Sequence, residues 1–302
     1  MAVINTGSHP KALWPGVYKF WGTKYEQFEP IWPKMFEKRD STKNYEEAVE
    51  AIGFGLMSVK NQGQALTYDT AQQGPTSRFT HRTYSLGFMV TMEEIMDNQY
   101  EEVSFKRANR LAKSVYETEE VVHANVFNRA FNSSFTGGDG VCLASASHPT
   151  ASGLQSNVLT VASDISEAAI EDLSVQIKNT TDSRGLRTLN KPRMLIVPPS
   201  LEPDAYRILK SVLQNDTPNN AVNYIKASGM FPEGIVCNPY LTDTDAWFIK
   251  TDCMDGLIHF TRMAPEYAMD NDFDTKNAKS AVVCRWIEGW MDWRQLFSSQ
   301  GA

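Results

Sequence analysis

Residues 93–132 read EEIMDNQYEEVSFKRANRLAKSVYETEEVVHANVFNRAFN, forty positions with neither glycine nor proline. Phe105, Ala108, Leu111, Ala112, Val115, Val122, Val126 and Ala130 recur at intervals of three and four, which predicts a single long helix with one apolar face. Lys106, Arg107, Arg110, Lys113, Glu117 and Glu120 fall on the other faces. Such a helix is on the order of 50 Å long at 1.5 Å per residue, whereas an average globular helix has about 11–12 residues. The stretch therefore points to an elongated subunit. A coiled coil is the weaker reading, because Glu119 interrupts the seam and few bulky residues fill it.

N-terminal to this helix the period changes. Tyr84, Leu86, Phe88 and Val90 alternate with Thr83, Ser85 and Gly87, the signature of a strand. Leu56 to Tyr68 is a second extended run, and the polar sequence from Asp69 to Ser77, with its Gly74-Pro75 break, predicts the turn between them. An isolated two-stranded ribbon is marginal in water, so this one must lean on its own domain or on a partner. A short helix is expected around Tyr45 to Ile52. Before it, large rings crowd an irregular, proline-rich arm and need something to lie against, either the chain's own core or a neighbouring subunit. Trp14, Trp21, Phe28, Trp32 and Phe36 of the arm, with Phe79, Tyr84 and Phe88 of the ribbon, are the candidate inter-subunit contacts.

C-terminal to the helix, Gly137-Gly-Asp-Gly140 reads as a glycine turn, since no Gly-Lys-Ser/Thr follows to make a phosphate loop. Asp164 and Glu167 are spaced as a capping box for a helix with Ile165, Ala169, Leu173 and Ile177 on one face. Thr180 to Lys191 is a polar loop carrying Arg184, Gly185 and Arg187. Arg193 to Val197 predicts a buried strand, and Ser200 a cap for the helix after it, which together suggest a small α/β module. Ile235 to Cys237, Trp247 to Ile249 and Leu257 to Phe260 read as short strands, Asp270, Asp272 and Asp274 as a solvated acidic loop, and Ser280 to Arg294 as a closing strand-like run.

The totals exclude several classes. A chain of 302 residues with 42% hydrophobic content can bury a sizeable core. No window is apolar enough for a membrane helix, and the N-terminus reads as no secretory signal. A net charge of −7 argues against a dedicated nucleic-acid binder. Cys142, Cys237, Cys253 and Cys284 form no metal or redox pair, and His9, His81, His123, His148 and His259 are scattered. Adjacent glutamates such as Glu119-Glu120 face about 100° apart on a helix and cannot share a substrate. No catalytic, cofactor-binding or metal site is therefore expected. Two remaining readings are a soluble hydrolase assembled from Cys142, His148 and Asp139, and a tail or tube protein.

The order of these elements resembles the major capsid proteins of tailed phages with the Hong Kong 97-type fold, in particular Mu-like major head subunits. The residues that carry the resemblance are Asp139-Gly-Val-Cys-Leu-Ala-Ser-Ala-Ser-His148-Pro149, Pro192-Arg-Met-Leu-Ile-Val-Pro-Pro-Ser-Leu-Glu202 and Asp292-Trp-Arg294. It implies an α+β fold with an N-terminal arm (1–45), an extended hairpin loop (46–92), a peripheral domain with a spine helix (93–163), an axial domain (164–262) and return strands of the peripheral domain (263–302). It further implies a major head protein in the virion capsid, whose pentamers and hexamers form an icosahedral shell in the host cytoplasm. A separate scaffolding protein and a portal would be its partners. The shell would enclose double-stranded DNA without binding it specifically, with no membrane and no cofactor. An encapsulin-like shell around a protein cargo shares the fold and is the alternative.

Overall fold

In the computed structural model, residues 19, 21–91, 93–94, 100–214, 221–272 and 277–302 are described. Residues 21–26 are helical and lead to α1 (Trp32–Met35) and β1 (Glu37–Asp40). Then come β2 (Tyr45–Ile52), β3 (Gln72–Thr80) and β4 (Arg82–Val90). The expected helix over Tyr45–Ile52 is thus a strand, because pairing with β3 from Tyr45↔Thr80 to Ile52↔Gln72 outweighs its helix-favouring Glu and Ala content. The ribbon is therefore β2–β3, not Leu56 to Tyr68 against β4. Residues 53–71 form an irregular tip without strand pairing, and β4 leaves the ribbon to pair with a later strand.

The long helix, α2 (Tyr100–Asn128), has 29 residues and so spans about 43 Å. After it come β5 (His148–Thr150), β6 (Gly153–Gln155), α3 (Glu167–Asn179), β7 (Pro192–Val197), α4 (Glu202–Lys210), α5 (Tyr224–Ala227), β8 (Ile235–Cys237), β9 (Trp247–Thr251), β10 (Leu257–Asn271), β11 (Ala278–Trp290) and β12 (Leu296–Ser299). The helix caps differ from the expected ones by a residue or two. Ser166, not Asp164, caps α3 by accepting from the Ala169 amide, while Asp164 accepts from the Ala302 amide. Ser200 donates its hydroxyl to the Thr244 carbonyl, and α4 starts from Leu201 without a side-chain cap.

Besides the two-stranded pairs β2-β3 and β5-β6, two four-stranded sheets carry the other strands. The first has the order β1-β10-β11-β4, and Ala108, Leu111, Ala112 and Val115 of α2 pack on its Tyr267 and Val282. The second has the order β12-β9-β7-β8. Its central strand β7 is buried along nearly its whole length, which is why Met194-Leu-Ile-Val197 reads as an unbroken apolar run. The C-terminal strand β12 pairs with β9 in this second sheet, so the chain does not end in the sheet that β10 and β11 build. Trp32, Phe36, Phe127, Leu257, Ile170, Leu195 and Phe297 belong to one continuous core cluster, so the sheets share a core.

The glycine turn has a steric reason. A Cβ on Gly138 would lie 2.6 Å from Ser77 Oγ and 2.8 Å from the Thr76 carbonyl oxygen, and one on Gly137 would lie 2.6 Å from Trp290 Nε1. Backbone without side chains is what lets β3 pass over this turn. Gly138→Ala should cost about 1–3 kcal/mol, as overpacking does, read as a lower urea midpoint.

Candidate functional site

The described part of the arm, residues 21–36, packs against α2 and is fixed by charged groups that the apolar pattern had left unexplained. Glu119 Oε1 accepts from the Tyr25 hydroxyl at 2.8 Å, and Glu120 Oε1 accepts from the Ile31 amide at 2.5 Å and the Trp32 amide at 3.4 Å. Both glutamates are buried, and burial raises both pKa values. The Trp32 ring stacks on His123 (4.3 Å between centroids) and lies 4.4 Å from His259. Phe36 meets His123 and Phe127 edge-on. Trp21 stacks on Tyr25 and Tyr267, and Phe28 on Tyr116.

His123 and His259 form a hydrogen-bonded pair. His123 Nδ1 faces the Glu119 carbonyl oxygen at 2.6 Å and so carries the proton; His123 Nε2 then accepts from His259 Nδ1 at 2.9 Å. Burial pushes His123 down to about 4 and, with the neighbouring His123, pushes His259 down to about 3. Because the folded values lie below the unfolded one, both rings stay neutral in the fold. Their contribution is intact above about pH 6.5 and is lost as the pH falls towards 4. Glu119 and Glu120 have the opposite sign, since a raised carboxyl pKa favours the fold as the pH falls. The histidine part is isolated by comparison with His259→Gln. Wild type should lose about 1 kcal/mol more than the variant between pH 6.5 and 5.5, measured by urea unfolding at each pH.

A second junction ties down the ribbon where its tip begins. Arg294, buried, directs Nη1 to Glu50 and Asp292 at 3.2 Å and donates Nε to the Thr181 carbonyl at 3.1 Å. Glu50 also accepts from Ser183 Oγ at 2.8 Å. Arg184 of the same polar loop reaches Asp69 Oδ2 and the Thr70 carbonyl, and Asp69 in turn accepts from the Gly55 amide at 2.8 Å. The loop at 180–191 is thus a clamp for both ends of the irregular tip. Beside it, Trp293 stacks on His148 at 4.3 Å, and His148 Nδ1 donates to Asp139 Oδ2 at 2.6 Å. Two of the three sequence motifs therefore meet in space.

Residues 74–298 match the family model described as phage capsid protein. The chain belongs to that family. A search of curated proteins finds no match. Among solved structures, the fold is similar to the capsid of an empty GTA particle (TM-score 0.58, 11% identity, 91% of each chain covered). It is also similar to a structure from Mycobacterium phage Patience (0.55, 10%, 99% of this chain and 89% of that one). A virus-like particle from Pyrococcus furiosus shares it as well (0.53, 11%, 94% and 98%). The fold is the Hong Kong 97-type fold of tailed-phage capsids, and the protein is a structural component of the phage capsid, not an enzyme.

For a capsid protein the side chains that matter are those left uncovered, and several of the candidate contact rings are covered within the chain itself. Trp21, Trp32, Phe36 and Phe79 are buried within the single chain, the last against Phe260. Tyr84, stacked on Trp286, and Phe88 are half-buried. Trp14 lies outside the described residues. Rings already covered at home have little area to give a neighbour. The densest run of uncovered apolar side chains among the described residues lies instead on the tip of the ribbon: Leu56 is 85% exposed, Met57 98%, Val59 90% and Tyr68 88%, with Phe54 and Leu66 also exposed. In the sequence the same stretch read only as an extended run, Leu56 to Tyr68.

The hydrolase reading fails on geometry. Both nitrogens of His148 are occupied, by Asp139 and by Asn157 Oδ1 at 3.2 Å. The Cys142 thiol donates to the Ala144 carbonyl and burial raises its pKa, the reverse of an activated thiol.

Proposed function

We propose that the chain is the major head subunit of a tailed phage and that many copies, as pentamers and hexamers, tile an icosahedral shell around double-stranded DNA. The observation that carries this reading is the apolar tip at 53–71, held out by a clamp at both ends in a chain of the phage capsid family. Six large apolar side chains exposed on one short loop mark an interaction site, since soluble monomers rarely leave such a patch uncovered. In a shell of identical subunits the natural cover is the next copy. A net charge of −7 suits a wall that must not hold packed phosphates tightly. Assembly in the host cytoplasm with a scaffolding protein and a portal fits this reading.

We assign the peripheral role to the first sheet with α2 and the axial role to the second sheet with α3 and α4. The test is electron microscopy of particles from cells making the subunit with a scaffolding protein. Closed shells are expected, filled with DNA when packaging proteins are present. Only small monodisperse species would end the proposal, and shells packed with a protein cargo would replace it by the encapsulin-like alternative.

A further inference from the structure

A cavity of about 530 Å³ opens between β3, the C-terminal end of α2, the glycine turn and β11. Its charged lining comes from four places: Arg78 from β3, Arg82 from β4, Arg129 just past the end of α2, and Glu288 from β11. Arg78 already has Glu47 at 3.8 Å. Arg82 and Arg129 make no ion pair among the described residues; Arg129 lies over the Phe135 ring at 4.5 Å. Glu288 feels both arginines without reaching either, and its Oε2 is covered from solvent with no hydrogen-bond partner. The remaining walls are evenly mixed, with Phe135 and Trp290 beside Thr76, Thr80 and Asn125. The pocket thus combines two unpaired cations, one carboxyl group and room for a side chain.

We propose that this cavity is a carboxylate-binding pocket that receives an Asp or Glu side chain of a second copy of the chain, held between Arg82 and Arg129. The proposal rests on the shell reading for the identity of the donor, but not for the pocket's chemistry. With Glu288 protonated, the pocket carries two uncompensated positive charges and a carboxylic acid that can donate to the incoming carboxylate. Burial raises Glu288 to about 7, which places that proton in the working range. His81, the other titratable group lining the cavity, is held below its ordinary value by burial and by Arg285 and Arg262, and so adds no acid-side charge near neutrality. Room for one side chain, rather than a basic stripe, favours an acidic residue on a polypeptide over a duplex, whose binding rests on many phosphate contacts. The chain supplies many donors, with 36 acidic residues against 29 basic.

Two measurements test it. On the unassembled subunit, glutarate should raise the melting temperature above sodium chloride of equal ionic strength, and more at pH 6 than at pH 8. Arg129→Gln should weaken that binding about tenfold, as loss of a charge-assisted hydrogen bond does. Glu288→Gln should keep the binding but lose its pH dependence, which also shows that the pocket folds. An equal shift in wild type and Arg129→Gln, or a shift independent of pH in wild type, would overturn the pocket. In assembled shells, Arg129→Lys followed by carbodiimide coupling should join position 129 to an Asp or Glu of another copy, found by mass spectrometry. Crosslinks at other lysines but none at 129, or protection of the pocket by duplex DNA, would overturn the assignment of the donor. If wild type forms no shells but glutarate still binds, the shell reading fails and the pocket stands.

Discussion

Trp32→Ala should destabilise the isolated subunit by about 3–5 kcal/mol, the range for removing a buried aromatic ring. The ring is only 7% exposed and stacks on His123 while touching His259, so truncation opens a cavity and strips the cover from two neutral imidazoles. The two backbone amides that Glu120 holds lie at the same place, so the arm loses its apolar anchor next to its polar one. Trp32→Phe keeps a stacking surface and should lose less. The measurement is the urea midpoint of unassembled protein, and it separates two roles for this ring. If Trp32 served a neighbouring subunit, the isolated chain would keep its stability and only shells would weaken. A change of less than about 1 kcal/mol, the range of surface substitutions, would show that the ring packs between chains.

The same ring shows what the sequence could and could not convey. Period alone located α2 and most of its apolar face, and the unbroken run at Met194 to Val197 located the central strand of the second sheet. Resemblance, carried by the short motifs, supplied the order of the parts. Which partner covers a ring is a matter of distant chain crossing, and local spacing is silent on it. Glu119 looked like a fault in a seam because its partner, Tyr25, is 94 residues away. Tyr45–Ile52 looked helical because the strand that pairs with it begins twenty residues later, across a tip with no pattern of its own. Glu50 carried no local signal, and Arg184 and Arg294 stood out only as a polar-loop residue and a motif end; the clamp exists only once three separate segments meet.

Replacing residues 56–68 by a short glycine–serine turn should leave a folded subunit that forms no shells. The cut keeps Gly55 and Asp69, so the hydrogen bond between them and the Arg184 contact remain to close the ribbon. Ile52 and Gln72 are paired across β2 and β3, so a short connection can span the gap. None of the removed side chains belongs to a core cluster, and melting temperature should therefore change little. Assembly is another matter. Each of Leu56, Met57, Val59 and Leu66 is worth about 1.5–3 kcal/mol if fully buried by a neighbour, and Tyr68 adds a large ring. Every subunit in a closed shell would lose that contact at once, and the loss repeats around each ring of copies. Leu56→Ser with Met57→Ser and Val59→Ser tests the same surface without shortening the loop, and should lower the yield of shells in the same direction. Normal shells from the truncated subunit, by electron microscopy and sedimentation, would mean that these side chains meet no neighbour, and the assembly surface would have to be sought on the sheets themselves.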